Sequence, residues 1–155
     1  MRPRIPPPLL MLIAAIIMWS LHRWCPIARL LAAPWNLIGA LPIATGLLIA
    51  AAAITKFRQS GTTLNPMEPG KASQLVTDGI FRVSRNPMYL GLSLLLLGWA
   101  LWLGSASPWF VLPVFVLLIY LAQILPEERA LQALFGDSYL EYRRTVARWL
   151  GRPGQ

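Results

Sequence analysis

The chain has 155 residues, of which 14 are Lys or Arg and 6 are Asp or Glu, and 56% are hydrophobic. Only 13% are charged, against about 25% in an ordinary soluble domain, and the mean hydropathy is +0.55. One domain of this length cannot bury that much apolar surface, so the excess faces lipid. An ordinary cytosolic enzyme, a disordered chain and a disulfide-stapled secreted module are excluded. The net charge of +8 is read as the positive-inside bias of a membrane protein rather than as nucleic-acid binding, because the basic residues lie between apolar runs.

The first apolar run covers 9–21. Arg2 and Arg4 precede it, as they would a signal peptide. No small-x-small cleavage site follows; Trp19, His22, Arg23 and Trp24 do, so a retained helix is expected. Cys25 is the single cysteine, which leaves no internal disulfide and no cysteine-rich metal site. His22 is equally alone and reads as an interfacial residue. The second run, 35–54, matches the roughly 20 apolar residues that a spanning helix needs. The third and fourth, 88–103 and 109–125, are slightly short and need a thin bilayer or snorkelling side chains. Gly104-Ser-Ala-Ser-Pro108 ties them into a helical hairpin.

The loop 55–86 is long and irregular, with Gly61, Pro66, Pro69, Gly70 and Gly79; such loops are commonly functional. The tail 126–150 reads as two short helices broken at Gly136-Asp137. Ser138 and Glu141 suggest a capping box in the second. Tyr139, Tyr142, Val146, Trp149 and Leu150 make its apolar stripe, and Arg143, Arg144 and Arg148 its opposite face, which suits a helix lying on an anionic membrane surface. With four spans and the N-terminus inside, twelve basic residues lie in the cytoplasm and two outside. Trp19, Trp24, Trp35, Trp99, Trp102 and Trp109 then gather at the outer interface as an aromatic belt. The expectation is an all-α integral membrane protein with both termini cytoplasmic, in a bacterial inner membrane.

The chemistry-bearing residues sit where apolar runs meet the cytoplasm. Asn86-Pro87 opens the third span with a good N-cap and a favoured first helical residue. Free N–H groups, the helix dipole, Arg82 and Arg85 together would make an anion site. Pro126-Glu127-Glu128 opens the tail helix, where acids complement the dipole. Carboxylates at a membrane boundary also require partners, and Arg82, Arg85 or a cationic ligand are on offer. Tyr89 lies one turn into the third span. The adjacent acids point about 100° apart, so one is expected to face the pocket and the other solvent or an arginine. Leu131, three residues after Glu128, favours Glu128 as the inward one. Physics alone leaves the ligand open between a nucleotide-like cofactor and a zwitterionic lipid.

Leu75-Val76-Thr77-Asp78-Gly79-Ile80-Phe81-Arg82, Arg85-Asn86-Pro87-Met88-Tyr89-Leu90-Gly91, and Glu127-Glu128 with Leu131, Phe135-Gly136, Tyr139, Tyr142 and Val146 resemble the isoprenylcysteine carboxyl methyltransferase family, which is related to the membrane phospholipid methyltransferases. The resemblance runs from Gly61 to Trp149. It implies an integral-membrane methyltransferase using S-adenosylmethionine, with a cytoplasmic cofactor pocket closed by C-terminal helices and a lipid or lipidated acceptor admitted from the bilayer. By that resemblance the cofactor residues are Leu75, Val76, Arg85, Asn86, Pro87, Tyr89, Gly91, Glu127 and Glu128, with Glu128 the candidate catalytic group. No metal and no nucleic acid is implied. Asn86 stands where the family has His; it keeps a donor but has no titratable proton. The prenylcysteine enzymes carry a basic residue shortly before the Glu pair, where this chain has Gln123-Ile124-Leu125-Pro126. Two alternatives stay open: a phospholipid amine as acceptor, and a non-catalytic membrane protein such as a transporter subunit or assembly factor.

Overall fold

A computed structural model describes residues 5–60 and 74–150. Arg2, Arg4, the loop stretch 61–73 with Gly61, Pro66, Pro69 and Gly70, and Arg152 lie outside the described residues. Within them the fold is helical. Helix α1 is Pro7–Trp24, α2 is Ala40–Gln59, α3 is Pro87–Leu103, α4 is Val111–Ile119 and α5 is Leu125–Thr145. Pro7 and Pro87 each stand in the first turn, where a missing N–H costs nothing and φ is already helical. Three helical stretches are long and apolar enough to cross a membrane: 7–24, 35–59 and 107–145. Helix α3 is apolar but shorter, at 17 residues.

The tight connection after α3 is built on Gly104, whose φ of 73° ends the helix in the left-handed region. Its carbonyl accepts from the Leu30 and Leu31 N–H groups at 2.8 and 3.0 Å. The Ile27 N–H donates to Ser107 Oγ, and His22 Nδ1 shares a 2.8 Å hydrogen bond with Ser105 Oγ. The first connection is thereby pinned to the hairpin turn. His22 is thus a structural partner there, and Cys25 is exposed.

Helices α2 and α3 are antiparallel neighbours that touch through glycine. A Cβ on Gly98 would lie 2.5 Å from the Gly39 carbonyl oxygen and 2.5 Å from Ile43 Cγ1. A Cβ on Gly91 would lie 2.8 Å from the Gly46 carbonyl oxygen. Small residues at such crossings let backbones approach closely, which is how helices associate where burial from water is not the drive. Ala14, Met18, Leu96, Ala100, Phe115 and Ile119 then fill the space between α1, α3 and α4. A second cluster, Ala53, Val76, Phe81, Tyr139, Tyr142 and Val146, sits at the end of the bundle where α3 begins.

Two expectations about the tail are corrected. Pro126 does not open a new helix. The chain runs without a break from α4 through a π-helical turn, Tyr120–Ile124, into α5. A proline inside a helix clashes with the carbonyl four residues back; here that carbonyl belongs to Ala122, inside the widened turn. The Leu125 N–H accordingly bonds to the Tyr120 carbonyl, five residues back. Nor does the last helix reach residue 150. It bends at Gly136 (φ 52°), ends at Thr145, and Val146 is extended. Val146 and Ala147 are buried, Arg148 and Trp149 half-buried, and Leu150 exposed. Arg148 therefore does not lie on an outer helical face with Arg143 and Arg144.

Candidate functional site

The polar residues singled out in the sequence meet at the α3 N-terminal end of the bundle, beneath the segment 146–149. That segment crosses the turn before α3. The Arg85 N–H donates to the Ala147 carbonyl at 2.9 Å. Asn86 Nδ2 donates to the Arg148 carbonyl at 3.1 Å, and Ser84 Oγ to the same oxygen at 3.3 Å. Farther back, the Tyr142 hydroxyl donates to the Phe81 carbonyl at 2.6 Å. Asn86 is thus the residue before α3, as its type predicts, but its side chain makes no cap bond. The amide is spent on the C-terminal segment instead.

Glu128 is the centre of the cluster. Arg148 Nε and Nη2 grip its two oxygens at 3.0 and 2.9 Å, the forked geometry in which guanidinium binds carboxylate most strongly. The Arg148 guanidinium also stacks over Tyr120, 5.1 Å from the ring centre. Arg85 Nη2 stands 3.5 Å from Glu128 Oε1. The Arg85 side chain is 2% exposed, yet its Nε and Nη1 have no hydrogen-bond partner. Buried donors are almost always paired, and an unpaired donor on a charged group costs more than one on a neutral group. Two cations and one carboxylate leave this cluster with an excess positive charge and open donors that suit an anion.

The neighbours follow the same field. Tyr139 is buried beside Glu128 and Arg85. The Arg148 pKa is raised, first by its hydrogen bonds to Glu128. Tyr89 Oη donates to Glu127 Oε2 at 2.8 Å. Both acids therefore have protein partners, and neither is simply turned to solvent. Glu128 is the buried one, on the side that Leu131 indicates. Arg82 is exposed and acts on Asp78, whose carboxyl is held below its usual range chiefly by Lys56.

Not every sequence candidate joins the cluster. Leu75 and Val76 pack with Phe81, Tyr139 and Tyr142 beside it. Pro87 is buried at the start of α3. Gly91 is placed elsewhere, against Gly46 and Ala50 of α2, so its small size serves the helix crossing. Arg148 is the member that periodicity missed. The one available signal was that a boundary carboxylate needs a cation, and Arg148 was hidden by extending the helix past Thr145. Among the described residues no group of three His, Cys, Asp or Glu side chains could hold a metal ion.

The model of the phospholipid methyltransferase family matches residues 35–138, a stretch that carries α2, α3, α4 and the acid pair. The chain belongs to this family. It is 31% identical over 101 residues to the protein-S-isoprenylcysteine O-methyltransferase of Schizosaccharomyces pombe, covering 65% of this chain and 43% of that one. It is 26% identical over 151 residues to the enzyme of the same name from Dictyostelium discoideum, covering 93% of this chain and 59% of that one. To protein-S-isoprenylcysteine O-methyltransferase A of Arabidopsis thaliana it is 32% identical over 109 residues, 70% of this chain and 55% of that one. The chain thus spans about half the length of these relatives. No solved structure matches it. The family and the long apolar helices make it an integral-membrane protein of a methyltransferase family.

Proposed function

We propose that this chain is an S-adenosylmethionine-dependent methyltransferase, acting at the cytoplasmic face of the membrane on a lipid-like or prenylcysteine-type acceptor, with both termini on that side. The observation that carries the proposal is Arg85, a buried guanidinium with two partnerless nitrogens beside a buried carboxylate. Either open N–H suits a carboxylate oxygen of an amino-acid moiety, and Glu127 or Glu128 fits its amine or a ribose hydroxyl. Leu75 and Val76 supply an apolar border for a flat ring, with Asn86, Pro87 and Tyr89 lining the α3 side. When bound, S-adenosylmethionine supplies an electrophilic methyl group at its sulfonium. Direct displacement asks little covalent help of the protein, and holding the partners in line supplies most of the rate. Glu128, with both oxygens engaged by Arg148, is suited to positioning these groups.

A phospholipid amine is a second acceptor class, favoured by one feature. No cation stands among Gln123-Ile124-Leu125-Pro126, and Gln123 is buried with its amide donated to the Ile5 carbonyl at 2.8 Å. A carboxylate acceptor finds no positive side chain among those four residues, and Arg148, stacked over Tyr120, is already held by Glu128.

Arg85→Ala is expected to weaken binding of S-adenosylmethionine to the detergent-purified protein by roughly 10- to 150-fold, the worth of a charge-assisted hydrogen bond of about 1.5–3 kcal/mol. Lys56→Ala, which removes only an ion pair with half-exposed Asp78, should change it little. Equal and small effects would mean that Arg85 is only a topology signal. Labelled methyl transfer to lipid extracts and to prenylcysteine analogues then separates the two acceptor classes.

A further inference from the structure

Glu128 faces two guanidiniums but serves them unequally. Arg148 takes both oxygens with a fork at 2.9–3.0 Å. Arg85 has only one long contact with that carboxylate, at 3.5 Å, and its Nε and Nη1 stay open. The closer partner is the more exposed one, at 20% of its side chain against 2% for Arg85. We infer that Arg148 is a positioning residue for the anion site: by occupying Glu128 it keeps Arg85 available to a ligand carboxylate that Arg148 itself never touches. The inference rests on the S-adenosylmethionine reading above.

The physical case is competition for one carboxylate. An acid buried beside an arginine pairs with it whenever the geometry allows, since an unpaired buried charge is costly. The Glu128 carboxylate already stands 3.5 Å from Arg85 Nη2, close enough to compete for it. Arg148 prevents that pairing because its own backbone is fixed. Its carbonyl accepts from Asn86 and Ser84, and its ring contact with Tyr120 holds the guanidinium plane. Without the Arg148 side chain, Glu128 is free to turn to Arg85 and take up the donors that an incoming anion needs. Removing a cation would then weaken anion binding through an acid, and removing the acid as well would restore it.

The test compares S-adenosylmethionine with its decarboxylated form, which keeps the adenosine, sulfonium and amine. The affinity ratio isolates the carboxylate contact, and any Glu contact to the amine cancels. The native chain should prefer the carboxylated ligand by roughly tenfold or more. Arg148→Gln should bring the ratio close to one, and Arg148→Gln with Glu128→Gln should return it towards the native value. Arg148→Lys, a point charge without the fork, should fall between, and it keeps the test open if Arg148→Gln does not fold. A native ratio in Arg148→Gln, or a double variant no better than the single, overturns the inference and leaves Arg148 a fastener of the segment 146–149. Equal affinity of the native chain for both ligands overturns it together with the role of Arg85. Binding of neither ligand overturns the cofactor reading from which it starts.

Discussion

Glu128→Ala is expected to destabilise the protein far more than Glu127→Ala. Glu128 is buried between Arg85 and Arg148. Its loss leaves two guanidiniums facing each other with no anion between them. Breaking a buried pair in this way costs about 3–5 kcal/mol, and the lower end applies here because Arg148 is partly open to solvent. Glu127 loses the hydrogen bond from Tyr89, worth about 0.5–1.5 kcal/mol. Thermal unfolding in detergent, followed by tryptophan fluorescence, gives the order. Similar small shifts for both variants would mean that the acids contribute only generic helix electrostatics. A further check uses ligand. Excess S-adenosylmethionine stabilises any variant that binds it, and the gain should be larger for Glu128→Ala, where Arg85 has lost its acid, than for Glu127→Ala.

The other large effect lies in the bundle. Gly98→Val should prevent the α2–α3 pairing from closing. Its Cβ would meet the Gly39 carbonyl oxygen, the Ile43 backbone nitrogen at 2.9 Å and the Ile43 side chain. Backbone atoms cannot rotate out of the way as a side-chain tip can. The cost is therefore expected at or beyond the top of the roughly 1–3 kcal/mol typical of overpacking. Gly91→Val should behave alike, against Gly46. Size-exclusion profiles of the solubilised protein should show loss of the folded, monodisperse species for both. If Gly91→Val folds normally and loses only cofactor binding, the glycine belongs to the polar site after all and not to the crossing.

These two sites were legible in the sequence to different degrees. Apolar runs and basic flanks located the spans, because the cost of charge in hydrocarbon is a strong local constraint. The same constraint drew Arg85, Tyr89, Glu127 and Glu128 together before any contact was known: charges at the ends of apolar runs have few partners to choose from. Gly39, Gly46, Gly91 and Gly98 carried no comparable signal. Their meaning depends on which helix faces which, and no local pattern holds that. Pro126 read as a helix start, because a proline inside a helix is ordinarily a break. Only the widened turn ahead of it makes continuation affordable. Arg148 read as outward because helical spacing was carried past Thr145, where the chain becomes extended to cross Ser84, Arg85 and Asn86.

The π turn between α4 and α5 also governs azimuth. Each α-helical residue advances the chain by about 100°, so one added residue swings everything beyond it to another face. A π turn takes in one extra residue locally and returns the following helix to its former phase. Tyr120–Ile124 therefore holds a residue in reserve between the lipid-facing half of this long helix and the half bearing the acid pair. A chain one residue shorter at this turn would keep its carboxylates in phase only if Pro126 were also replaced, because a regular helix sets the proline ring against the carbonyl four residues back. One residue removed from within α4, where no such reserve exists, would turn one half of the machinery away from the other.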